Sequence, residues 1–111
     1  MDKKYYYKVE IEIDEEKVIA DHKYSIEKMY SAIRNIFIKD GLREIQNGKT
    51  LTFIGDNTDE HCVATNWNAV ALYKKQWCEP YVKTLRWYDN TDNEEYFEDI
   101  KETIDQKYKG A

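Results

Sequence analysis

The length, composition and charge of the chain already exclude several classes of protein. With 111 residues it has the size of one ordinary domain, and 22 acidic against 17 basic side chains give a net charge of −5. An aromatic content of 14% and a single proline exclude a disordered or collagen-like chain. No apolar run is long enough for a membrane span or for the core of a secretion signal. We therefore expect one α+β domain over residues 1–111.

Cysteine usage and the balance of basic residues indicate the cellular setting. Two cysteines, Cys62 and Cys78, are too few for the disulfide framework of a small secreted protein, which favours a reduced cytoplasmic chain. Lysine outnumbers arginine by 14 to 3, a bias typical of AT-rich genomes, and this indicates a bacterial, phage or mobile-element origin. The acidic balance disfavours nucleic acid as a direct ligand, because binding phosphates requires clustered lysines and arginines.

The N-terminal region has a strand pattern followed by a helix pattern. Residues 5–13 alternate between apolar and polar side chains with a period of two, which predicts a half-buried strand with a solvated polar face. Apolar side chains then recur at helical spacing over residues 26–37, which predicts a helix that faces the core. Ser25 can cap the start of this helix, and Gly41 can adopt the left-handed conformation at its end.

A hairpin pattern follows this helix. An Asn-Gly pair at residues 47–48 separates two strand-like runs, residues 42–46 and 49–54. This dipeptide favours a type I′ turn, in which both central residues have positive φ. We expect Leu51 and Phe53 of the second run to face the core.

The next two predicted elements are a second helix and a fourth strand. The helix is predicted over residues 59–76, with Thr58 or Asp56 as its cap, and Pro80 separates it from a strand over residues 81–88. The spacing of its apolar residues predicts a buried face made of Cys62, Val63, Trp67, Ala69, Val70, Tyr73 and Trp77.

A third helix is predicted at the C-terminal end, over residues 93–108. Thr91 and Glu94 have the spacing of a capping box at its start. Its core-facing seam is narrow and consists of Phe97, Ile100, Ile104 and Tyr108.

The element order β-α-β-β-α-β-α predicts a fold class. The first six elements have the split βαβ pattern of a ferredoxin-like domain, with a four-stranded antiparallel sheet and two helices on one face. We expect the extra C-terminal helix either to cover the other face or to pack along an edge. A winged or cystatin-like α+β arrangement is the main alternative.

Motifs for metal binding or catalysis are scarce. The two cysteines and two histidines lack the paired spacing of structural zinc sites, so we expect no metal and no cofactor. The acidic neighbours Glu60 and Glu79 disfavour a reactive thiolate at either cysteine, and no phosphate-binding or nucleophile motif occurs. We therefore expect no enzyme activity. A cysteine nucleophile with a histidine base is the catalytic alternative.

Recognition of single-stranded RNA is another alternative, because RRM domains share the βαββαβ order. The run at residues 49–54 lacks the glycine and the exposed aromatic pair with which those domains stack bases. In the first run, Tyr6 lies beside Glu10 and Glu12, which would repel phosphates. The aromatic residues of the outer strands are then interpreted as packing residues: Tyr5, Tyr7, Tyr81 and Trp87.

The charge distribution is the unusual feature of this sequence. Residues 1–55 carry ten basic and ten acidic side chains, whereas residues 56–111 carry seven and twelve. On the predicted third helix, one arc opposite the apolar seam holds six carboxylates: Glu94, Glu95, Glu98, Asp99, Glu102 and Asp105. Like charges four residues apart destabilise a helix by about 0.2–0.5 kcal/mol a pair, so a helix selected only for stability would alternate its charges. We interpret the arc as a docking surface; a merely solvated face is the alternative.

The acidic and aromatic segment from Asp92 to Asp99 resembles parts of a known class of proteins. It is similar to segments of small phage and mobile-element inhibitors of the anti-CRISPR or anti-restriction kind, which mimic nucleic acid. The resemblance covers about the last quarter of the chain and consists of size, acidity and aromatic content. It implies a non-enzymatic protein that occupies the basic, nucleic-acid-binding surface of a partner.

The predicted partner-binding surface combines the six carboxylates with aromatic anchors at its rim. Tyr96, Tyr88 and Trp87 are the candidate anchors, although Trp87 also fits a packing role. The expected partner is a basic protein surface, with no direct contact to nucleic acid or to a membrane. The alternative is a self-associating regulatory or ligand-binding ferredoxin-like module. Domains of this kind often form homodimers through sheet edges or faces, and the strand at residues 43–46 is short and polar, as protected edges are.

Overall fold

A computed structural model describes residues 5–92 and 94–108, apart from the side chain of Tyr108. The described residues form five strands, which are Tyr7–Ile13 (β1), Arg43–Ile45 (β2), Leu51–Gly55 (β3), Val82–Asp89 (β4) and Tyr96–Asp99 (β5). The helices are Glu15–Asp21 (α1), Ile26–Ile38 (α2), Asp59–Tyr73 (α3) and Ile100–Tyr108 (α4), and a 3-10 turn spans Glu79–Tyr81. The strands pair antiparallel in the order β2-β3-β1-β4-β5. The fold is therefore α+β with an open five-stranded sheet.

One face of the sheet forms the core with the helices. In the strand register, Val9 of β1 lies between Phe53 of β3 and Trp87 of β4, and all three side chains are buried. Phe37 of α2 stacks on Phe53 with ring centroids 4.8 Å apart, and the Trp87 indole donates a hydrogen bond to Thr65 of α3 at 2.9 Å. Helices α2 and α3 therefore lie on the same face, as the sequence predicts.

The opposite face of the sheet is less solvated than its polar alternation predicts. Lys8 and Glu10 of β1 expose only 17% and 19% of their side chains. The Lys8 ammonium lies 4.2 Å from the centre of the Tyr88 ring and 4.6 Å from that of Tyr5. The Tyr88 hydroxyl donates to Glu10 Oε1 at 2.6 Å. Cation–π and hydrogen-bond contacts between neighbouring side chains therefore shield part of this face from solvent.

Local capping signals place the helix starts correctly. Ser25 Oγ accepts from the Lys28 amide at 3.3 Å, and Thr58 Oγ1 accepts from the His61 amide at 3.1 Å. Helix α1 is not predicted from the sequence, because its seven residues bury only Val18 and are too few for a periodic pattern.

The predicted hairpin is confirmed, but its tight turn is wrong. Ile45 pairs with Thr52, which leaves a connection longer than two residues. Gly48 has a φ of +62°, whereas Asn47 does not have the positive φ that a type I′ turn requires. The Asn47 side-chain amide instead donates to Glu10 Oε2 and Thr52 Oγ1, each at 3.1 Å. These two hydrogen bonds, one within the hairpin and one to the distant β1, replace the local turn preference.

The predicted buried face of α3 is wrong at two positions. Val63 and Trp67 are exposed, and α3 buries Ala64, Thr65 and Leu72 instead. The burial of Ala69 and Tyr73 is confirmed, while Cys62, Val70 and Trp77 are partly buried against the core. The error has a physical cause: apolar residues lie on both faces of this helix, so periodicity alone does not select one of them.

The C-terminal region departs most from the sequence prediction. Residues 96–99, predicted to be helical, form the edge strand β5, and the helix begins only at Ile100. The Asp99 carboxylate accepts a hydrogen bond from the Glu102 amide at 2.9 Å, at the point where the strand becomes a helix. Thr91, predicted as a cap, donates its amide and hydroxyl to Asp89 Oδ1 at 2.9 and 2.7 Å. Asn93, where the predicted helix starts, lies outside the described residues.

The C-terminal helix packs beside α3, not over the other face of the sheet. Ile100 and Ile104 of the predicted seam are buried in the core cluster, but Phe97 is exposed. The side chain of Tyr108 lies outside the described part of the chain. The predicted number of four strands is therefore wrong, because β5 pairs with β4 and adds a fifth strand to the sheet.

Among the described residues, none of the helices combines the length and the apolar character needed to cross a bilayer.

Candidate functional site

The six carboxylates predicted on one helical arc are divided among three elements. Glu94 and Glu95 lie in the loop before β5, Glu98 and Asp99 in β5, and Glu102 and Asp105 in α4. Within β5, Glu98 is paired with Trp87 on the helix-bearing face, and Asp99 is paired with Arg86 on the opposite face. The continuous helical arc is therefore wrong, because alternation in a strand separates neighbours that a helix would group.

The C-terminal acids nevertheless lie next to exposed aromatic rings at one edge of the sheet. Tyr96 and Phe97 of β5 are 58% and 55% exposed. In the part of the chain that the structure describes, β5 pairs only with β4, which leaves the backbone groups of its outer side without a strand partner. We call this surface the acidic edge and define it by five residues: Glu94, Glu95, Tyr96, Phe97 and Glu98.

The negative charge of the acidic edge is not compensated within the described chain. Among residues 5–92 and 94–108, no lysine or arginine forms an ion pair with Glu94, Glu95 or Glu98. Asp105 differs from them, because its carboxylate lies 3.1 Å from the Lys101 ammonium and accepts the Tyr73 hydroxyl at 2.7 Å. Asp105 therefore has a structural role, and the free charge is concentrated before and within β5.

The three predicted aromatic anchors have different environments. Tyr96 is exposed, as an anchor must be, whereas Trp87 is 8% exposed and bonded to Thr65, so its assignment to the rim is wrong. Tyr88 is half-buried, with its ring stacked 5.8 Å from that of Phe97. Burial and the hydrogen bond to Glu10 raise the pKa of Tyr88, which keeps its hydroxyl neutral. Phe97 is an exposed ring that the sequence misses, because the helix pattern assigns it to the core.

The contact between Tyr73 and Asp105 joins α3 to α4. The hydrogen bond from Tyr73 lowers the pKa of Asp105, burial opposes this, and the neighbouring Lys101 lowers it further. Burial of the ring, together with the same contact, raises the pKa of Tyr73. Both shifts favour one state, in which a neutral tyrosine donates to a charged carboxylate.

This contact predicts an acid-dependent contribution to stability. The pKa of Asp105 is lower in the folded than in the unfolded chain, so the contribution is present at neutral pH and lost as the pH falls through the folded-state pKa. We expect Asp105→Asn to lower the free energy of unfolding by about 1 kcal/mol at neutral pH, and by less in acid. Urea unfolding across the acid range measures this. Glu94→Gln is the matched control, and equal losses in both variants would contradict the assignment.

Cys78 and His61 lie in structural positions. Cys78 is fully buried, and burial raises the pKa of its thiol to about 12, which removes the thiolate that a nucleophile needs. His61 Nδ1 accepts a hydrogen bond from the Asp56 amide at 2.7 Å and so holds the loop between β3 and α3. Within the described chain, His, Cys, Asp and Glu side chains form no group of three or more that could hold a metal ion.

Comparison with protein-family models, with curated proteins and with solved structures found no match for this chain. Its function is therefore inferred from its surface chemistry. At the acidic edge, and on the outward face of α3 around Trp67, exposed aromatic or aliphatic side chains lie beside carboxylates. Surfaces of this composition are typical of protein interfaces, in which aromatic residues are enriched.

Proposed function

We propose that this chain is a non-enzymatic protein-binding module whose acidic edge docks on a basic surface of a partner protein. The observation that carries the proposal is the position of Tyr96 and Phe97, two exposed rings on an edge strand. They lie among carboxylates that form no ion pair with the lysines and arginines of the described residues. In protein interfaces, buried aromatic side chains contribute much of the binding energy, while charges steer association and select the partner.

The partner that fits this surface is a protein that itself binds nucleic acid. Glu94, Glu95 and Glu98 span about 13 Å of near-extended chain, or about one charge per 4 Å. One strand of duplex DNA carries about one charge per 3.4 Å of axis, so the two densities agree within about a factor of two. Docking would exclude nucleic acid from the partner's lysines and arginines. The chain would then act as an inhibitor, in line with its resemblance to small anti-CRISPR and anti-restriction proteins.

We also propose how the fold places this edge. The strands β1 to β4, with α2 and α3 on one face, are interpreted as a ferredoxin-like unit that β5 and α4 extend. The extension moves the exposed edge from β4 to β5, whose residues are more acidic. In this interpretation the C-terminal addition exists to carry the binding surface.

Site-specific photo-crosslinking tests the proposal. A benzophenone amino acid replaces Phe97 in one variant and Ile45 in a control, since Ile45 is also exposed but lies at the opposite edge, in β2. In a lysate of the native host at low salt, we expect position 97 to crosslink a basic protein and duplex DNA to suppress that product. Equal products at both positions, or a product that DNA does not reduce, would rule the proposal out.

The self-association alternative depends on the edge strands. Strand β2 forms the other edge, as predicted, and is short and exposed, which limits the hydrogen bonds that a second copy could add. Pairing of two β5 strands would place carboxylates of the same charge across from each other. Size-exclusion chromatography separates the hypotheses: a homodimer that persists across salt concentrations favours self-association, and a monomer favours docking on another protein.

A further inference from the structure

The outward face of α3 presents an apolar ridge to solvent. Trp67 is 71% exposed and Val63 is 49% exposed. They are four residues apart in a helix, so their side chains are neighbours on one face. A tryptophan with this exposure is uncommon, because the indole gains the most free energy of any apolar side chain when it leaves water.

The comparison with α2 makes this ridge more unusual. Both helices lie on the same face of the sheet, but the outward positions in the middle of α2 are polar, namely Lys28, Ser31 and Arg34. The exposed apolar side chain of α2 is Ile38, at its last residue. A surface helix is normally apolar on one face only, and one that is apolar on both needs a second partner surface. The second face of α3 therefore has the composition of an interface.

A groove with acidic walls lies beside the ridge. It measures about 520 Å³, and Val63 and Ala64 provide its apolar surface. Three carboxylates surround this surface: Asp40 from the loop after α2, and Asp59 and Glu60 from the first turn of α3. Asn68 donates to Asp40 Oδ2 at 2.6 Å and fixes that carboxylate at the rim.

We propose that this groove binds a basic amphipathic segment of a partner protein. One apolar side chain of the segment would lie on Val63 and Ala64 in the groove, and a neighbouring one would cover the indole of Trp67 on the adjoining ridge. Its lysines or arginines would face the three carboxylates. The charges select this occupant, because the same carboxylates repel nucleic acid, anionic lipid and the acidic edge of a second copy. The groove lies on a different element from the acidic edge, so this inference goes beyond the proposed function and does not depend on it.

A peptide titration of the full chain tests the groove directly. The probe is a short acetylated peptide of leucine and lysine with leucines at positions i, i+3, i+4 and i+7, which gives it one apolar helical face. Trp67 is the reporter, because Trp87 is buried and Trp77 is half-buried. We expect a saturable shift of the emission to shorter wavelength. Peptides with glutamate in place of lysine, or serine in place of leucine, should give none.

Variants and chemical-shift mapping decide where the peptide binds. Chemical-shift titration measures the affinity of variants that lack the Trp67 reporter. By this measurement we expect Trp67→Ala to weaken binding by at least about tenfold, and neutralisation of Asp40, Asp59 and Glu60 to weaken it and remove its salt dependence. The control variant, with Glu94, Glu95 and Glu98 changed to glutamine, should bind as the parent does. Amide shifts confined to α3 and the loop after α2 support the inference. The absence of saturable binding would overturn the inference. Amide shifts confined to residues 94–99 would also overturn it, but they would still agree with the proposed function.

Discussion

Replacement of Trp87 by alanine will lower the free energy of unfolding by about 3–5 kcal/mol, whereas the same change at Trp67 will alter it by less than about 0.5 kcal/mol. The Trp87 ring is buried, stacks against Tyr7 with centroids 6.1 Å apart, and donates to Thr65. Its removal leaves a cavity and takes away the donor to the Thr65 hydroxyl, which still donates to the His61 carbonyl in α3. A domain of this size has only about 5–15 kcal/mol of stability, so the loss is a large fraction of the total.

Urea unfolding followed by far-ultraviolet circular dichroism measures both variants without depending on tryptophan emission. Trp87→Phe is a useful third variant, because it keeps most of the ring volume and removes the indole donor. We expect it to lie between the parent and Trp87→Ala. If both alanine variants lost the same free energy of unfolding, Trp87 would not be buried and Trp67 exposed as described. The interpretation of α3 as a helix with apolar residues on both faces would then be wrong.

Charge reversal at the acidic edge will have the largest effect on function. We expect Glu94→Lys/Glu95→Lys to weaken partner binding by more than about 100-fold, since like charges brought together across an interface cost several kcal/mol. Stability should be unchanged or slightly higher, because neither carboxylate has an ion-pair partner in the described chain and both belong to an acidic cluster. The affinity of the protein captured at position 97 measures the change.

The matched control reverses two exposed acids far from the acidic edge in sequence. Glu16→Lys/Glu27→Lys changes the net charge from −5 to −1, as the first variant does, but alters the starts of α1 and α2. We expect this control to retain its affinity for the partner. If both double variants lose binding equally, the partner responds to overall charge and the acidic edge is not the site.

The parts of the fold that the sequence predicts correctly are those with local signals. Strand β1 has its period of two, and α2 and α3 begin at the predicted caps Ser25 and Thr58, because the capping hydrogen bonds join residues three apart. The apolar stripe of α2 is buried as predicted, at Met29 and Phe37 among others. These features need no information from distant parts of the chain.

The parts that the sequence misses depend on tertiary context. The pattern of residues 96–99 fits a helix, but in the folded chain these residues lie beside β4 and pair with it as a strand. A helix here would bring like charges together at i,i+4 spacing, and the strand avoids this. The alternation of Tyr96 and Phe97 between faces then exposes a ring that the helix pattern would have buried. Trp67 and Ala64 are a similar case, because only the contacts of α3 with the sheet decide which of the two faces water.

The candidate site was predictable in composition but not in geometry. The excess of acids near the C-terminus and the neighbouring aromatic residues are visible in the sequence, and Glu94, Glu95 and Tyr96 are exposed. The use of Asp105 as an internal acceptor for Tyr73 was not visible, because the two residues are distant in sequence and meet only when α4 packs on α3. Only the folded structure shows whether a carboxylate is exposed to solvent or accepts a hydrogen bond from another part of the chain.

The position of Trp87 has a consequence for any protein that engages both surfaces. Its indole meets the Tyr96 ring edge to face, with centroids 6.2 Å apart, while its ring nitrogen is bonded to Thr65 in the middle of α3. A single interior group thus touches the strand at one surface and the helix at the other. If a ligand at the strand displaces this ring and thereby changes the affinity at the helix, thermodynamic reciprocity requires an equal effect in the other direction. The chain therefore has the physical connection that heterotropic cooperativity between two ligands would need.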